Sequence, residues 1–298
     1  MKSPLPLRDG VGASSIVLPA GEWPSVLAFL AHRFPDIDAA IWQRRAAQGE
    51  LVDDGGTAVA LDGAYRPGRQ LYYYRSLEQE PEIPFEAEIL HRDAHLLVVD
   101  KPHFLPVLPA GRYLQQTLLV RLKRELGLAA LVPLHRIDRG TAGLVVFSLD
   151  PDTRGAYQQL FPQRAVEKTY EAIAPDLPAL DTPRLHRARL EPGEPFFRMR
   201  EVAGEPNSET RIEKLATHGA LAHYRLQPHT GRKHQLRVHL AALGAPILHD
   251  DYYPDLRPDL ADDHARPLQL LARGLRFTDP LDGRERQFES RRRLAAAE

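Results

Sequence analysis

Strand-length and helix-spaced runs alternate irregularly along this chain, with no repeated strand–helix–strand unit, and that irregularity limits the fold more than any other feature. AEIL (87–90), LLVVDKP (96–102), LVVFSL (144–149) and EKTYEAIA (167–174) read as strands. TRIEKLATH (210–218) and ALAHYRLQP (220–228) read as a pair joined across a His-Gly turn, the short link that antiparallel neighbours use. Leu114, Leu118, Leu119, Leu122 and Leu126 recur at helical spacing, and RKHQLRVHLAALG (232–244) reads as a helix stopped by Gly244. A doubly wound parallel sheet needs regular alternation, so the pattern predicts an α+β fold.

The 298 residues suit one large domain with an appendage. Residues 1–20 read as an extended arm. Residues 21–78 read as a small unit of two helices and two strands. Its helices are PSVLAFLAHRF, with Pro24 suited to a first turn, and DIDAAIWQRRAAQG, capped by Asp36 or Asp38. Its strands are GTAVALD (56–62) and RQLYYYR (69–75). Residues 79–88, polar with two prolines, read as a linker, 89–290 as the main domain, and 291–298 as a basic tail. Within the main domain, 176–208 carries seven prolines or glycines and reads as loop.

Zero cysteines exclude a disulfide framework, a thiolate metal site and a cysteine nucleophile. The longest apolar run, Leu240 to Leu248, is too short for a membrane span, and MKSPLPLRDG lacks the apolar core of a signal peptide. A cytoplasmic monomer without membrane contact is the expectation. The formal charge of −1 argues at first against a nucleic-acid partner, but the charges are segregated. Residues 225–239 hold four Lys or Arg, three His and no carboxylate; 250–263 hold six Asp against one Arg; Arg284 to Arg293 hold five Arg and two Glu. The acidic block and the tail are expected to be solvated faces.

Three segments carry chemistry. In LHRIDRGTAG (134–143), Asp138 sits between Arg136 and Arg139, so its carboxylate stays ionised and serves as a nucleophile or as an ion-pair strut. In HTGRKHQLRVH (229–239), three histidines recur every five residues, a spacing that does not stack ligands on one helical face, so no metal is expected. Lys233 and Arg237, four apart, would form one cationic ridge. In FPQRAVEKTY (161–170), Lys168 and Tyr170 share a strand face, where a cation and a ring can orient a base or belong to a half-buried sheet.

Together these segments resemble the RluA-type RNA pseudouridine synthases. That family's His-Arg-Leu-Asp, two variable residues, Thr-Ser-Gly signature is matched by His135, Arg136, Ile137, Asp138, then Thr141, Ala142, Gly143, with two conservative departures. Its Lys-Pro element appears as Lys101-Pro102, its Lys-x-Tyr as Lys168-Thr169-Tyr170, and its Gly-Arg-x-His-Gln-x-Arg-x-His intact as Gly231 to His239. Gly244-Ala-Pro-Ile-Leu-His-Asp250, Tyr252 and Tyr253 follow in the family's order.

The resemblance implies a mixed, mostly antiparallel central sheet flanked by helices. It also implies an isomerase that detaches uracil from its ribose in ribosomal or transfer RNA, rotates it and rejoins it through carbon, without cofactor or metal. Asp138 would be the acting carboxylate, Arg237 its ion-pair partner and Tyr170 the ring against the flipped base. Arg136 would fill the vacated space. Leu236 would pack on the base, Lys168 and Arg232 would hold phosphate or support the loop, and His135, Lys101, Lys233 and His234 would contact RNA. Relatives commonly carry Leu-His-Ala and a later His-Pro near the C-terminus; here Leu270-Leu271-Ala272 and Asp279-Pro280 stand instead, which puts an RNA contact from that histidine in doubt. Residues 21–78 resemble more loosely an alpha-L RNA-binding domain, through Trp42, Arg44, Arg45, Gly49 and Val52. The competing readings are a non-catalytic RNA-binding protein on the same scaffold and a metal-dependent hydrolase.

Overall fold

The computed structural model describes residues 3–75, 77, 79–257 and 262–294. The ends of the expected arm and tail (1–2 and 295–298) and Asp259 of the acidic block lie outside the described residues. No helix among the described residues is long and apolar enough to cross a membrane.

The N-terminal unit runs β1 (Ser14–Val17), α1 (Val26–Arg33), α2 (Ala39–Ala47), β2 (Leu51–Asp53) and β3 (Gln70–Tyr73), with an antiparallel sheet ordered β1-β3-β2. Ser25 Oγ accepts the Ala28 N–H at 3.2 Å, and Asp38 accepts that of Ala40 at 2.8 Å, so each helix start has a satisfied donor. Two expectations change. The arm supplies an edge strand, and Leu18 packs in the core with Phe29, Trp42 and Leu71. GTAVALD makes a single bridge, Val52↔Ala58, rather than a strand. Asp53 Oδ1 takes the N–H groups of Gly55 and Thr57 and turns the chain as β2 ends. Arg45 is also buried, its guanidinium 4.7 Å from the Trp42 ring centroid, so Arg44 alone of that pair faces solvent.

The main domain continues with β4 (Glu88–Arg92), β5 (Leu96–Lys101), α3 (Leu118–Leu126), β6 (Val132–Pro133), β7 (Ala142–Ser148), α4 (Arg154–Gln159) and β8 (Glu167–Pro175). It ends with β9 (Arg184–Pro192), β10 (Met199–Val202), β11 (Ser208–His218), β12 (Leu221–Pro228), α5 (Gln235–Ala242), β13 (Leu270–Thr278) and β14 (Glu285–Glu289). The sheet runs β10-β9-β11-β12-β8-β13-β7-β5-β4, with β14 on β13 and β6 on β7. Its pairings are antiparallel except β13 with β7. This is the α+β architecture expected.

Residues 96–99 of β5 and 144–147 of β7 are uniformly apolar because both faces are covered. Leu97, Val99, Val145 and Phe147 meet α3, while Leu96, Val98, Leu144 and Val146 meet Tyr157 of α4 and Phe277. The segment 176–208 holds two strands, β9 and β10, where loop was expected. Ala188 and Leu190 are the buried hydrophobic side chains of β9, too thin an apolar signal to read as a strand; β9 is held by its ladder to β11. The linker is likewise packed down. Ile83 is buried, and Glu80 accepts the N–H groups of Leu114, Gln115 and Gln116 at 2.6–2.9 Å. The tail closes on the same body: Asp100, fully buried, accepts from Ser290 Oγ and the Arg291 N–H, and Leu294 is buried. Ser290 and Leu294 thus dock the tail, while Arg284, Arg291 and Arg293 stay exposed, as expected of a solvated face.

The parallel β13–β7 contact positions the site. Ala272 stands opposite Gly143 on one side and Tyr170 on the other, so the start of β7 and the middle of β8 lie in one row. A Cβ on Gly143 would meet the Ala272 carbonyl oxygen at 2.3 Å, and Gly143 has φ +108°, so glycine is required there. Leu271, in the position of the relatives' histidine, is fully buried beside Ala142 and Ile173, so that departure changes the core and not a surface.

Candidate active site

Asp138 lies on the loop between β6 and β7, five residues upstream of Gly143, and 28% of its side chain is exposed. Arg237, on α5, donates to Asp138 Oδ2 at 3.2 Å. The same guanidinium donates to both oxygens of Asp250, Nε at 2.7 Å and Nη2 at 2.6 Å. The Asp250 side chain is fully buried and also accepts the N–H groups of Tyr252 and Tyr253. The two rings face the guanidinium at 4.7 and 5.3 Å. Arg237 is thus held on one side by a buried fork and presents Nη1 to Asp138 on the other. Asp250, although part of the sequence motif, had no role assigned; only its burial against Arg237 shows one.

Burial by itself would raise the Asp138 pKa, yet the neighbouring charges hold it below the ordinary carboxylate range. His234, 3.9 Å from Oδ1, has its own pKa lowered to about 4 by burial and is neutral at pH 7, so the persistent charges are Arg237 and Lys101. Lys101 is fully buried, and burial lowers its pKa strongly. Its Nζ nevertheless donates to three carbonyls, Pro102, Leu105 and Arg139, at 2.8–3.1 Å. Three acceptors need three N–H bonds, so this geometry holds the ammonium form. The sequence expectation that Lys101 contacts RNA is therefore not met: its ammonium is buried on three carbonyls and fastens the backbone next to Asp138.

Tyr170 reaches the site from β8 and packs on the core that contains Leu236, Leu268 and Tyr224. Burial, then the Asp138 charge, raises its hydroxyl pKa, so it stays protonated at neutral pH. Leu236, 7% exposed, belongs to that core and supports the ring. Lys168 lies under the 229–231 turn, its Nζ 3.5 Å from the Thr230 carbonyl.

His135 is turned inward: it stacks on Phe161 and its Nε2 accepts the Val146 N–H at 3.1 Å, so it holds the loop rather than a ligand. Arg136 is exposed on the same loop. The ridge expected from Lys233 and Arg237 does not form. The helix begins at Gln235, leaving Lys233 exposed in the preceding turn while Arg237 is buried. Arg232 is also exposed, with Nε donating to the Asn207 carbonyl at 3.2 Å. His234 ends that turn at φ 54°, and its Nδ1 lies 2.9 Å from the Tyr253 hydroxyl.

A buried polar network seats α5. Ser208 donates its hydroxyl to the Ala188 carbonyl at 2.6 Å, so His239 Nε2–H donates to Ser208 Oγ at 2.9 Å. Thr210 Oγ1 accepts from Gln235 Nε2 and donates to His239 Nδ1 at 3.0 Å. His186, Glu201 and His239 bring possible ligand atoms within 4.8 Å of one another. Both His239 nitrogens are committed to hydroxyls, so this trio fits a hydrogen-bonded strut and not a metal set.

The acidic block also departs from a solvated face. Asp250 binds Arg237, Asp251 binds Arg257 at 2.8 Å, and Asp262 binds Arg139 at 2.7 Å and Arg112 at 3.1 Å. The basic run 225–239 is partly paired in turn, Arg225 with Glu213, and His229 Nδ1 lies 2.5 Å from Glu209.

The architecture is that of a pseudouridylate synthase catalytic domain. The solved human RNA pseudouridylate synthase domain containing 4 matches with a TM-score of 0.53 and 28% identity, over 69% of this chain and 88% of that one. A sequence model of the RNA pseudouridylate synthase family matches residues 95–242. An uncharacterized RNA pseudouridine synthase of Synechocystis sp. is 33% identical over 76% of this chain and 79% of its own length. The dual-specificity RNA pseudouridine synthase RluA of Pasteurella multocida is 31% identical over 65% of this chain and 88% of its own length. The chain belongs to the RluA-type RNA pseudouridine synthases, isomerases that act on RNA.

Proposed function

We propose that this enzyme converts uridines of structured ribosomal or transfer RNA to pseudouridine with Asp138 as the acting carboxylate. The observation that carries the reading is the single carboxylate oxygen of Asp138 held by an arginine that is itself fixed by a buried fork. Such a carboxylate is ionised and aimed before substrate arrives, which is what a nucleophile or a proton-abstracting base needs. The isomerisation breaks the N1–C1′ bond and forms C5–C1′; the C5 proton leaves and N1 gains one. Attack on the ribose, attack on the base and proton abstraction from the sugar all start from this ionised oxygen. Tyr170, kept protonated, would lie against the flipped uracil, and Arg136 would occupy the gap left in the stack. No step is routed through a metal or cofactor. The dual specificity in the name of the Pasteurella relative favours a substrate range wider than one RNA. We place the enzyme in the cytoplasm as a monomer.

The test is conversion of uridine in total RNA from cells lacking the gene, comparing wild type with Asp138→Asn. The wild type is expected to restore pseudouridine at discrete positions, and the variant to restore none while remaining folded. Conversion by the variant would remove Asp138 from the mechanism.

A further inference from the structure

The hairpin joining β9 to β10 ends in Pro195-Phe196-Phe197, and Phe196 is 87% exposed, the most exposed large hydrophobic side chain among the described residues. The neighbouring ring, Phe197, lies 5.6 Å from Phe196 and 5.2 Å from Tyr252. Tyr252 in turn lies 5.6 Å from His234 and against the Arg237 guanidinium. A continuous row of rings therefore leads from the arginine that holds Asp138 outward to a phenyl in water. We infer that Phe196, backed by Phe197, is a stacking platform for an unpaired base next to the target uridine.

The backbone of the hairpin that carries the ring is tied down. Gly193 N–H donates to the Arg198 carbonyl at 3.1 Å, and Arg198 N–H donates to that of Pro195 at 2.8 Å, closing the turn. Arg198 Nη2 donates to the Pro254 carbonyl at 2.6 Å, and its guanidinium lies 5.1 Å from the Tyr253 ring. The Met199 N–H donates to the Tyr253 hydroxyl at 2.7 Å, the same hydroxyl that His234 contacts. The hairpin and the catalytic arginine thus share Tyr252 and Tyr253 as a common floor.

An exposed phenyl carries a hydration penalty that folding does not relieve, and a rigid mount adds nothing to stability at the tip. Single-stranded RNA relieves that penalty, because each unstacked base has a face that an aromatic side chain can cover. Extracting a uridine from its stack uncovers the face of a neighbouring base, the surface such a platform would cover. The exposed cations Arg136, Arg232 and Lys233 supply the phosphate attraction that a ring cannot.

The inference rests on the proposed RNA activity, and the experiment separates the two. Wild type, Phe196→Ala, Phe196→Leu and Phe196→Trp are compared on total RNA from cells lacking the gene, reading pseudouridine formation, KM, kcat, Tm and oligomeric state. Loss of one base stack lowers kcat/KM by roughly 5- to 150-fold, mainly through KM. That loss is expected for the Ala and Leu variants, with Tm unchanged, and Trp is expected to restore the wild-type value. Leu behaving as wild type would overturn stacking in favour of simple apolar contact. Ala within about twofold of wild type would overturn the platform altogether. A change of oligomeric state in the Ala variant would make the tip a protein contact and overturn the RNA assignment. Absence of pseudouridine with the wild-type enzyme would sink the parent reading and this one with it.

Discussion

Replacing Asp250 by Asn tests the central geometry without touching the residue proposed to react. The Asp250 carboxylate is fully buried and takes two charge-assisted hydrogen bonds from Arg237, at 2.7 and 2.6 Å. Asn keeps the shape but removes the charge and turns one acceptor into a donor facing the guanidinium. Breaking a buried pair from one side costs about 3–5 kcal/mol, because the remaining charge is left uncompensated. For a domain of this size that corresponds to a fall in Tm of roughly 6–20 °C. The consequence for catalysis is separate. Freed of its fork, Arg237 keeps one 3.2 Å bond to a partly exposed carboxylate and no longer fixes where that carboxylate points. A misplacement of about 1 Å at a reacting group costs on the order of 100-fold. The assay is single-turnover pseudouridine formation well below the variant's Tm, with calorimetry alongside, and the loss is expected in kcat more than in KM. Asp138→Asn serves as the contrast: activity disappears while Tm moves little, since that side chain is partly solvated. An Asp250→Asn protein with unchanged Tm and turnover within twofold of wild type would show that the fork neither stabilises the fold nor orients the pair.

Three further outcomes follow from the same structure. Lys101→Met orphans three buried carbonyls and removes a cation near Asp138; a stability loss of about 3 kcal/mol or more by denaturant titration is expected, with an upward shift of the acid limb of the rate profile. Burial lowers the pKa of His103, His135 and His234 to about 4 and that of His239 to about 3, all below the unfolded value of 6.5. The unfolded chain then binds protons first, so stability is full above pH 6.5 and is lost as pH falls towards 4; thermal melts between these limits check the sign. With Arg225, His229, Arg237 and Arg139 paired internally, RNA binding should show a shallow dependence on salt, a log–log slope no steeper than about −3 to −4, and a slope near −10 by filter binding would contradict it.

The readability of the chain depended on how local each signal was. Helices α1, α2 and α3 announce themselves through caps and apolar spacing that span only a few residues, and β5 and β7 through unbroken apolar runs. Strand β9 did not, because its stability comes from the ladder to β11 rather than from its own mostly polar side chains. Asp138, Tyr170 and Arg237 were singled out because their motifs occur in order, whereas Asp250 was quoted in a motif and left without a purpose. His135 and Lys101 were assigned to RNA contact only through the motifs of the family; here one stacks on Phe161 and the other satisfies three carbonyls.

The chain's net charge of −1 shows where the division lies. Sequence alone determined the α+β class, the ordered motifs and the segregation of acidic and basic blocks, since each is a property of neighbours along the chain. Only the tertiary structure decided what those blocks do. Folding brings Asp250 onto Arg237, Asp262 onto Arg139 and Asp100 onto the C-terminal arginines, across separations of 13 to about 190 residues. Electrostatic energy depends on distance in space and on burial, neither of which a linear count of charges contains.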